Sequence, residues 1–114
     1  MNTQQRAILE ALHKSWSAES SSLWSLENPA KGHCGVTAIV IQENFGGDIL
    51  KTYVGGTPHF YNRVAGVNID FTSSQFDVPP RYEDVLSDRE EAFADTNMKQ
   101  YNSLNARFKS EYCP

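Results

Sequence analysis

The apolar positions along the chain change pattern twice, from a helical stripe to an apolar block and then to short alternating runs. In the first pattern, Ile8, Leu9, Leu12 and Trp16 recur at the spacing of one helix face. This spacing predicts an amphipathic helix over residues 3–17, with Trp16 packed in the core.

The apolar block covers residues 34–45, and nearly every position from 36 to 41 is apolar. Its β-branched residues favour a strand, because they pack well on a pleated surface. Its length and the glycine that follows it, Gly46, favour a helix with a glycine cap. A continuous apolar pattern indicates an element that is buried on all sides. These residues alone leave helix and strand nearly equal.

The alternating runs predict three strands, at residues 49–54, 59–64 and 67–72. Ala65 and Gly66 separate the last two runs, and this pair predicts a hairpin turn.

A turn centred on this pair makes Val64 face Val67, and that pairing fixes which side chains share a face. His59, Tyr61 and Asp70 then lie on one polar face, while the other face is apolar except for one asparagine. His59 and Asp70 become diagonal neighbours, about 7–8 Å apart at the backbone, so their side chains can meet. A polar face is also what the solvated side of a sheet looks like.

The C-terminal third predicts two further helices. Ser87 and Glu90 have the spacing of a capping box and predict a helix that runs through Ala94. Asp95-Thr96 can cap the last helix, which carries an apolar stripe. The expected fold is therefore one α+β domain over residues 1–114, with an N-terminal helix, a buried segment, a small antiparallel sheet and C-terminal helices.

Composition narrows the range of partners. The chain is 39% apolar and 21% charged, with a formal net charge of -4 and no Lys/Arg cluster, which argues against a nucleic-acid partner. The longest apolar run is too short to cross a bilayer, and no signal peptide is visible, so we expect a cytoplasmic protein without a membrane partner. We predict no cofactor.

Cys34 is the candidate nucleophile, because it stands at the start of the apolar block and a thiol at a helix start beside an imidazolium ionises readily. A carboxylate that holds one ring nitrogen of His59 leaves the other nitrogen to pair with this thiol. Cys34, His59 and Asp70 thus follow the chain order nucleophile, base and carboxylate. A disulfide between Cys34 and Cys113 is disfavoured in the cytoplasm.

The segment from residue 28 to residue 38 resembles the nucleophile segment of papain-like enzymes, in which a Cys-Gly pair opens a buried helix. This resemblance favours a helix for residues 34–45 and implies a papain-like, or transglutaminase-like, core. It also implies Cys34 as nucleophile, His59 as base and Asp70 as the residue that orients the base.

Donors to an oxyanion are less well defined by the sequence. Papain-like enzymes often carry a glutamine shortly before the nucleophile, whereas here the shorter Asn28 stands upstream of Cys34. His33 is either a second candidate donor or a plain loop residue, and Tyr61 is a further binding candidate. The backbone N–H of Cys34 at a helix start could supply another donor.

The whole chain also resembles the small, uncharacterised bacterial YunG-like proteins. The similarity covers about residues 24 to 108 and is most specific between residues 28 and 76. The matching pieces are Trp24 with Asn28-Pro29, Gly32-His33-Cys34-Gly35-Val36-Thr37-Ala38, Phe45-Gly46-Gly47, His59-Phe60-Tyr61-Asn62, Gly66, Asp70-Phe71-Thr72, Gln75-Phe76 and Arg89-Glu90-Glu91-Ala92. This resemblance implies no particular substrate.

Three functions remain open from the sequence. The first is a cysteine-dependent hydrolase or acyl-transferase that acts on amide or thioester bonds through Cys34, His59 and Asp70. The second is a catalytically inactive papain-like module that binds a peptide or protein partner. The third is a zinc site that adds His33 to these three residues, but their spacing is a weak metal signal, so we assign no metal ligand.

Overall fold

Residues 1–112, which this computed structural model describes, form four α-helices and one four-stranded antiparallel sheet. The sheet has the strand order β3-β2-β1-β4. In chain order the elements are α1 (Thr3–Ser15), α2 (Cys34–Phe45), β1 (Asp48–Val54), β2 (Thr57–Val64), β3 (Val67–Ile69), β4 (Val85–Ser87), α3 (Arg89–Phe93) and α4 (Met98–Glu111), with one turn of 3-10 helix at Ser73–Gln75 between β3 and β4. The expected α+β class is confirmed.

The helix α2 lies at the centre of the fold, and its residues 34–41 are all buried. On one side, Val40 packs with Leu12 of α1 in a cluster that also includes side chains of α4. On the other side, Ile39 packs with Phe60 of the sheet. The apolar block is thus a helix that is buried all round, because its contacts with both layers outweigh the strand preference of its β-branched residues.

The β2–β3 hairpin has the predicted register, with Val64 opposite Val67. Its two turn residues, Ala65 and Gly66, have φ values of 50° and 78°, as a tight hairpin turn requires. The asparagine on the otherwise apolar face, Asn62, is buried and donates from Nδ2 to the backbone carbonyl of Ala38 at 3.0 Å. The hydrogen bond explains how a polar side chain is tolerated between the sheet and α2.

The third strand is shorter than predicted, because β3 ends at Ile69 rather than at residue 72. Asp70 therefore lies just beyond the hydrogen-bonded ladder. The segment 70–84 then folds back over the polar face of the hairpin, where Tyr82 contacts the ring of Tyr61. As a result His59 and Tyr61 on this face are buried, whereas Asn68 on the same face stays exposed.

Three local features of the C-terminal half differ from the sequence prediction. The edge strand β4 was not predicted, because its three residues are too few to show an alternating pattern. The cap of α3 is Asp88 rather than Ser87, and the cap of α4 is Asn97 rather than Asp95-Thr96. This shift leaves Asp95 in the connection between the two helices, where its side chain turns towards α2.

Candidate functional site

His59 and Asp70 form a buried pair on the covered face of the hairpin. Nε2 of His59 lies 2.7 Å from Oδ2 of Asp70, and the two side chains are 3% and 5% exposed. Asp70 also accepts hydrogen bonds from the hydroxyl of Tyr82 and from the N–H and hydroxyl of Thr72. If the carboxylate is ionised, Nε2 carries the proton, so Nδ1 of the neutral ring is an acceptor.

Aromatic side chains hold the His59 ring on two sides. Tyr61 stacks on it with 6.2 Å between ring centroids, and Phe76 meets it edge-on at 4.9 Å. The hydroxyl of Tyr61 donates to Asp84 at 2.7 Å. Burial raises the pKa of Tyr61 above its usual range, and its hydrogen bond to Asp84 acts in the same direction. The ring of His59 is therefore fixed by both packing and its carboxylate partner.

Cys34 begins α2, and it lines the same cavity as His59, with a volume of about 240 Å³. The wall of this cavity is part apolar and part polar. Its apolar side chains are Leu23, Val54, Pro58 and Phe76, and its other polar or charged side chains are Lys31, Thr57, Gln75 and Asp95. We call this space the Cys34 cavity.

The thiol of Cys34 donates its hydrogen bond to Asp95, with 3.5 Å between Sγ and Oδ2. Burial raises the pKa of Cys34 to about 12, and the carboxylates of Asp95 and Asp70 act in the same direction. A hydrogen bond from the backbone of Phe60 opposes this effect. In this arrangement Cys34 is a protonated thiol at neutral pH.

The approach of Asp95 to the thiol depends on the residue after Cys34. Gly35 has no side chain, and a Cβ atom there would lie 2.7 Å from the carbonyl oxygen of Ala92 and 3.0 Å from Cβ of Asp95. Such contacts are too close for a real Cβ atom, so glycine lets the α3–α4 connection lie directly against the start of α2.

His33 precedes Cys34 in sequence, but its ring points into the core and not into the Cys34 cavity. It has no exposed surface, and Nε2 lies 2.7 Å from Oγ of Ser20. Trp16 packs against the ring with 5.6 Å between centroids. Burial lowers the pKa of His33 to about 4, and the nearby backbone of Pro29 and Lys31 opposes this only in part.

Asn28 and Tyr61, the other candidate binding residues, also lie outside the lining of the Cys34 cavity. Nδ2 of Asn28 donates to the backbone carbonyl of Gln75 at 3.3 Å. Tyr61 lines a different cavity, of about 500 Å³, which Asp70 also lines. The structure thus brings Cys34, His59 and Asp70 to one region and leaves these two candidates beside it.

Among the residues that line the Cys34 cavity and that the sequence analysis did not assign to the site are Asp95 and Gln75. Asp95 was interpreted only as a helix cap, and no local pattern could have linked it to a thiol so far away in the chain. Gln75 is fixed by its own hydrogen bond, from Nε2 to the carbonyl of Thr72 at 3.1 Å.

The zinc site, which was the third alternative from the sequence, is not formed by the part of the chain that the structure describes. Among residues 1–112, no three or more side chains of His, Cys, Asp or Glu are placed so that they could share a metal ion. His33 in particular points to Ser20 and away from the other three ligands. Cys113 lies outside the described residues, so the structure does not address the Cys34–Cys113 pair.

Together these features define a small α+β protein in which a cysteine, an aspartate and the histidine of a buried histidine–aspartate pair line one cavity. The family model described as "YunG protein" matches residues 4–112, and the chain belongs to this family. It is 55% identical over 97 residues to a protein of Bacillus subtilis (strain 168) described as "Uncharacterized protein YunG", with 85% of this chain and 84% of that protein covered.

No solved structure matches this chain, so the papain-like core stays a prediction. Within residues 1–112, none of the helices has both the length and the apolar character that crossing a membrane requires.

Proposed function

We propose that this protein is a cysteine-dependent hydrolase or acyl-transferase of the papain-like type, acting on amide or thioester bonds. The observation that carries the proposal is the buried hydrogen bond of 2.7 Å between His59 and Asp70, beside the cavity that Cys34 lines. A buried carboxylate on one ring nitrogen orients the imidazole and stabilises the imidazolium that forms when the other nitrogen takes a proton.

In the proposed reaction, Sγ of Cys34 attacks the carbonyl carbon of the substrate, and the thiol proton passes to Nδ1 of His59. The tetrahedral intermediate collapses when the carbon–nitrogen or carbon–sulfur bond breaks, and His59 returns the proton to the leaving group. Water, or an amine acceptor, then attacks the acyl-thioester and gives a proton to His59. Release of the acyl group and return of that proton to Sγ restore the thiol.

The oxyanion of the intermediate needs donors near Sγ. The backbone of Phe60 acts on the sulfur in the direction that lowers the pKa of Cys34, as a donor does, and Gln75 lines the cavity wall. Both are therefore better placed than Asn28, which neither lines the cavity nor acts on the pKa of Cys34. We propose that these two groups take the role that the sequence suggested for Asn28 and His33.

Covalent trapping tests the proposal directly. Incubation with a panel of acyl-thioesters and peptide amides should give an acyl adduct on Cys34, located by peptide mass spectrometry. The adduct should be absent from Cys34→Ala and much slower to form in Asp70→Asn. His13→Ala, which removes an exposed histidine on α1, is the matched control and should react like the native protein. Substrate turnover that persists in Cys34→Ala would rule the proposal out.

A second candidate function is a binding module for a peptide or protein partner. The favouring observation is the state of the thiol, because burial and two carboxylates disfavour its ionisation. For a module, Cys34→Ala should bind its partner as the native protein does, and no acyl adduct should form with any member of the panel. Peptide-array binding of both proteins separates this candidate from the first.

A further inference from the structure

We infer that Asp95 is a fourth residue of the site, which holds Cys34 as a protonated thiol until the carboxylate is displaced or neutralised. The reaction of the released thiol rests on the proposed function, whereas the effect of Asp95 on the ionisation of Cys34 does not. The contact that supports the inference is the hydrogen bond from Sγ to Oδ2 of Asp95 at 3.5 Å. This contact directs the thiol proton to a carboxylate instead of to His59.

The charges around the thiol come from four parts of the chain. Asp95 approaches from the α3–α4 connection, His59 from β2, Asp70 from the end of β3, and Lys31 lines the cavity from the loop before α2. Asp70 lies behind His59 and has four donors of its own. Asp95 is thus the carboxylate that bears directly on the sulfur.

The neighbouring helix α3 does not supply a competing charge at the thiol. Its residue Glu91 is hydrogen-bonded to Ser87 and paired with Lys51 of β1, with 2.5 Å between Nζ and the carboxylate oxygen. The side chain of Lys31 is exposed, and no ion pair joins it to Asp95 within residues 1–112. A cation that neutralises Asp95 is therefore lacking in the described part of the chain.

Asp95 is held far less firmly than Asp70, which is what a releasable contact requires. Asp95 is exposed and sits in a short connection between α3 and α4, and the thiol that donates to it is a weak donor. The side chain of Asp70, by contrast, is buried and accepts four hydrogen bonds. A substrate that enters the Cys34 cavity can push Asp95 aside or pair with it, while the His59–Asp70 pair stays in place.

The test measures how the alkylation rate of Cys34 by iodoacetamide depends on pH. The background variant Cys113→Ser leaves Cys34 as the one thiol of the chain, because the sequence has two cysteines. In this background, Asp95→Asn should lower the midpoint of the pH profile by about one pH unit or more, since one charge close to the sulfur is lost. Glu10→Gln, which removes an exposed charge on α1, should leave the midpoint where it is.

A second variant controls for the hydrogen-bond donor that the amide of Asp95→Asn adds. Asp95→Ala removes the charge without adding a donor, and its midpoint should fall as well. Circular dichroism melts of each variant identify any that is unfolded. An unchanged or raised midpoint in the folded Asp95 variants would overturn the inference, as would an equal fall in Glu10→Gln.

This outcome is separable from the fate of the proposed function. A lowered midpoint in both Asp95 variants without any acyl adduct on Cys34 would support the role of Asp95 and reject the enzyme. An acyl adduct in the native protein with an unshifted midpoint in the variants would support the enzyme and reject the role of Asp95.

Discussion

Two buried histidines, His33 and His59, differ in the partner that each ring holds. They are 0% and 3% exposed, and each ring has one partner atom 2.7 Å from Nε2. For His33 this partner is the hydroxyl of Ser20, whereas for His59 it is the carboxylate of Asp70. Only the second ring lines the Cys34 cavity.

Burial alone therefore does not give a histidine the charged partner that a general base needs. A buried ring without a charged partner resists protonation, and burial accordingly lowers the pKa of His33 to about 4. A carboxylate beside the ring stabilises the imidazolium that proton transfer creates. His33 is next to the thiol in the chain and His59 is distant, yet it is the distant ring that has a carboxylate partner and lines the cavity.

The largest expected effect is on acylation of Cys34, and it separates the two rings. His59→Ala should lower the rate of acyl-enzyme formation by about 10²–10⁴-fold, because the proposed general base is lost. His33→Phe keeps an aromatic ring in the core and removes both nitrogens, so the rate per folded molecule should not change. Mass spectrometry of samples quenched at successive times, with a substrate from the thioester panel, measures the rate of acyl-enzyme formation in both variants. Equal losses of acylation rate in the two variants would contradict the proposal that His59 acts as the base and that His33 does not.

The His59–Asp70 contact could be predicted because it depends on local information. The turn at Ala65 and Gly66 sets the register, and the register sets which side chains are neighbours. Burial of His59 and Tyr61 on that face could not be predicted in the same way, since it requires the segment 70–84 to fold back over the hairpin. The polar pattern of the face is typical of a solvated surface, and nothing local distinguishes the two cases.

Asp95 shows the limit of sequence analysis most clearly. It bonds to Cys34 across 61 residues, and that contact depends on the helix packing and on the missing side chain at Gly35. Its local context suggests only a helix cap, and the cap is in fact Asn97. Contacts between elements that are not sequence neighbours carry no periodic signal, so this part of the site is visible only in the folded chain.

The next effect concerns stability as a function of pH. The pKa of His33 is about 4 in the folded protein, against 6.5 for an unperturbed ring. As the pH falls below 6.5, the unfolded chain binds a proton that the folded chain does not yet bind. The stability contributed by the neutral ring is therefore present above pH 6.5 and is lost as the pH falls to about 4.

This loss should amount to about 3 kcal/mol of unfolding free energy at most. Urea unfolding of the native protein and of His33→Phe across that pH range measures this loss as the difference between the two proteins. The carboxylates contribute equally to the unfolding free energy of both proteins and therefore cancel. The native protein should lose more stability than the variant, and His13→Ala should behave like the native protein. Parallel curves for the native protein and His33→Phe would contradict the assignment of His33 as a buried neutral ring.

The smallest expected effect tests what holds the partner of His59 in place. Tyr82→Phe removes one of the four donors to Asp70, from a side chain that is itself 38% exposed. The unfolding free energy should fall by only about 1 kcal/mol, because water can replace an exposed hydroxyl. The acylation rate should stay close to native, since Thr72 and His59 still hold the carboxylate. Tyr101→Phe on α4 is the matched control for loss of a hydroxyl. If Tyr82→Phe slowed acylation as much as His59→Ala does, the position of the Asp70 carboxylate would depend on the segment 70–84. The two histidines would then differ because of that segment and not because of the hairpin register.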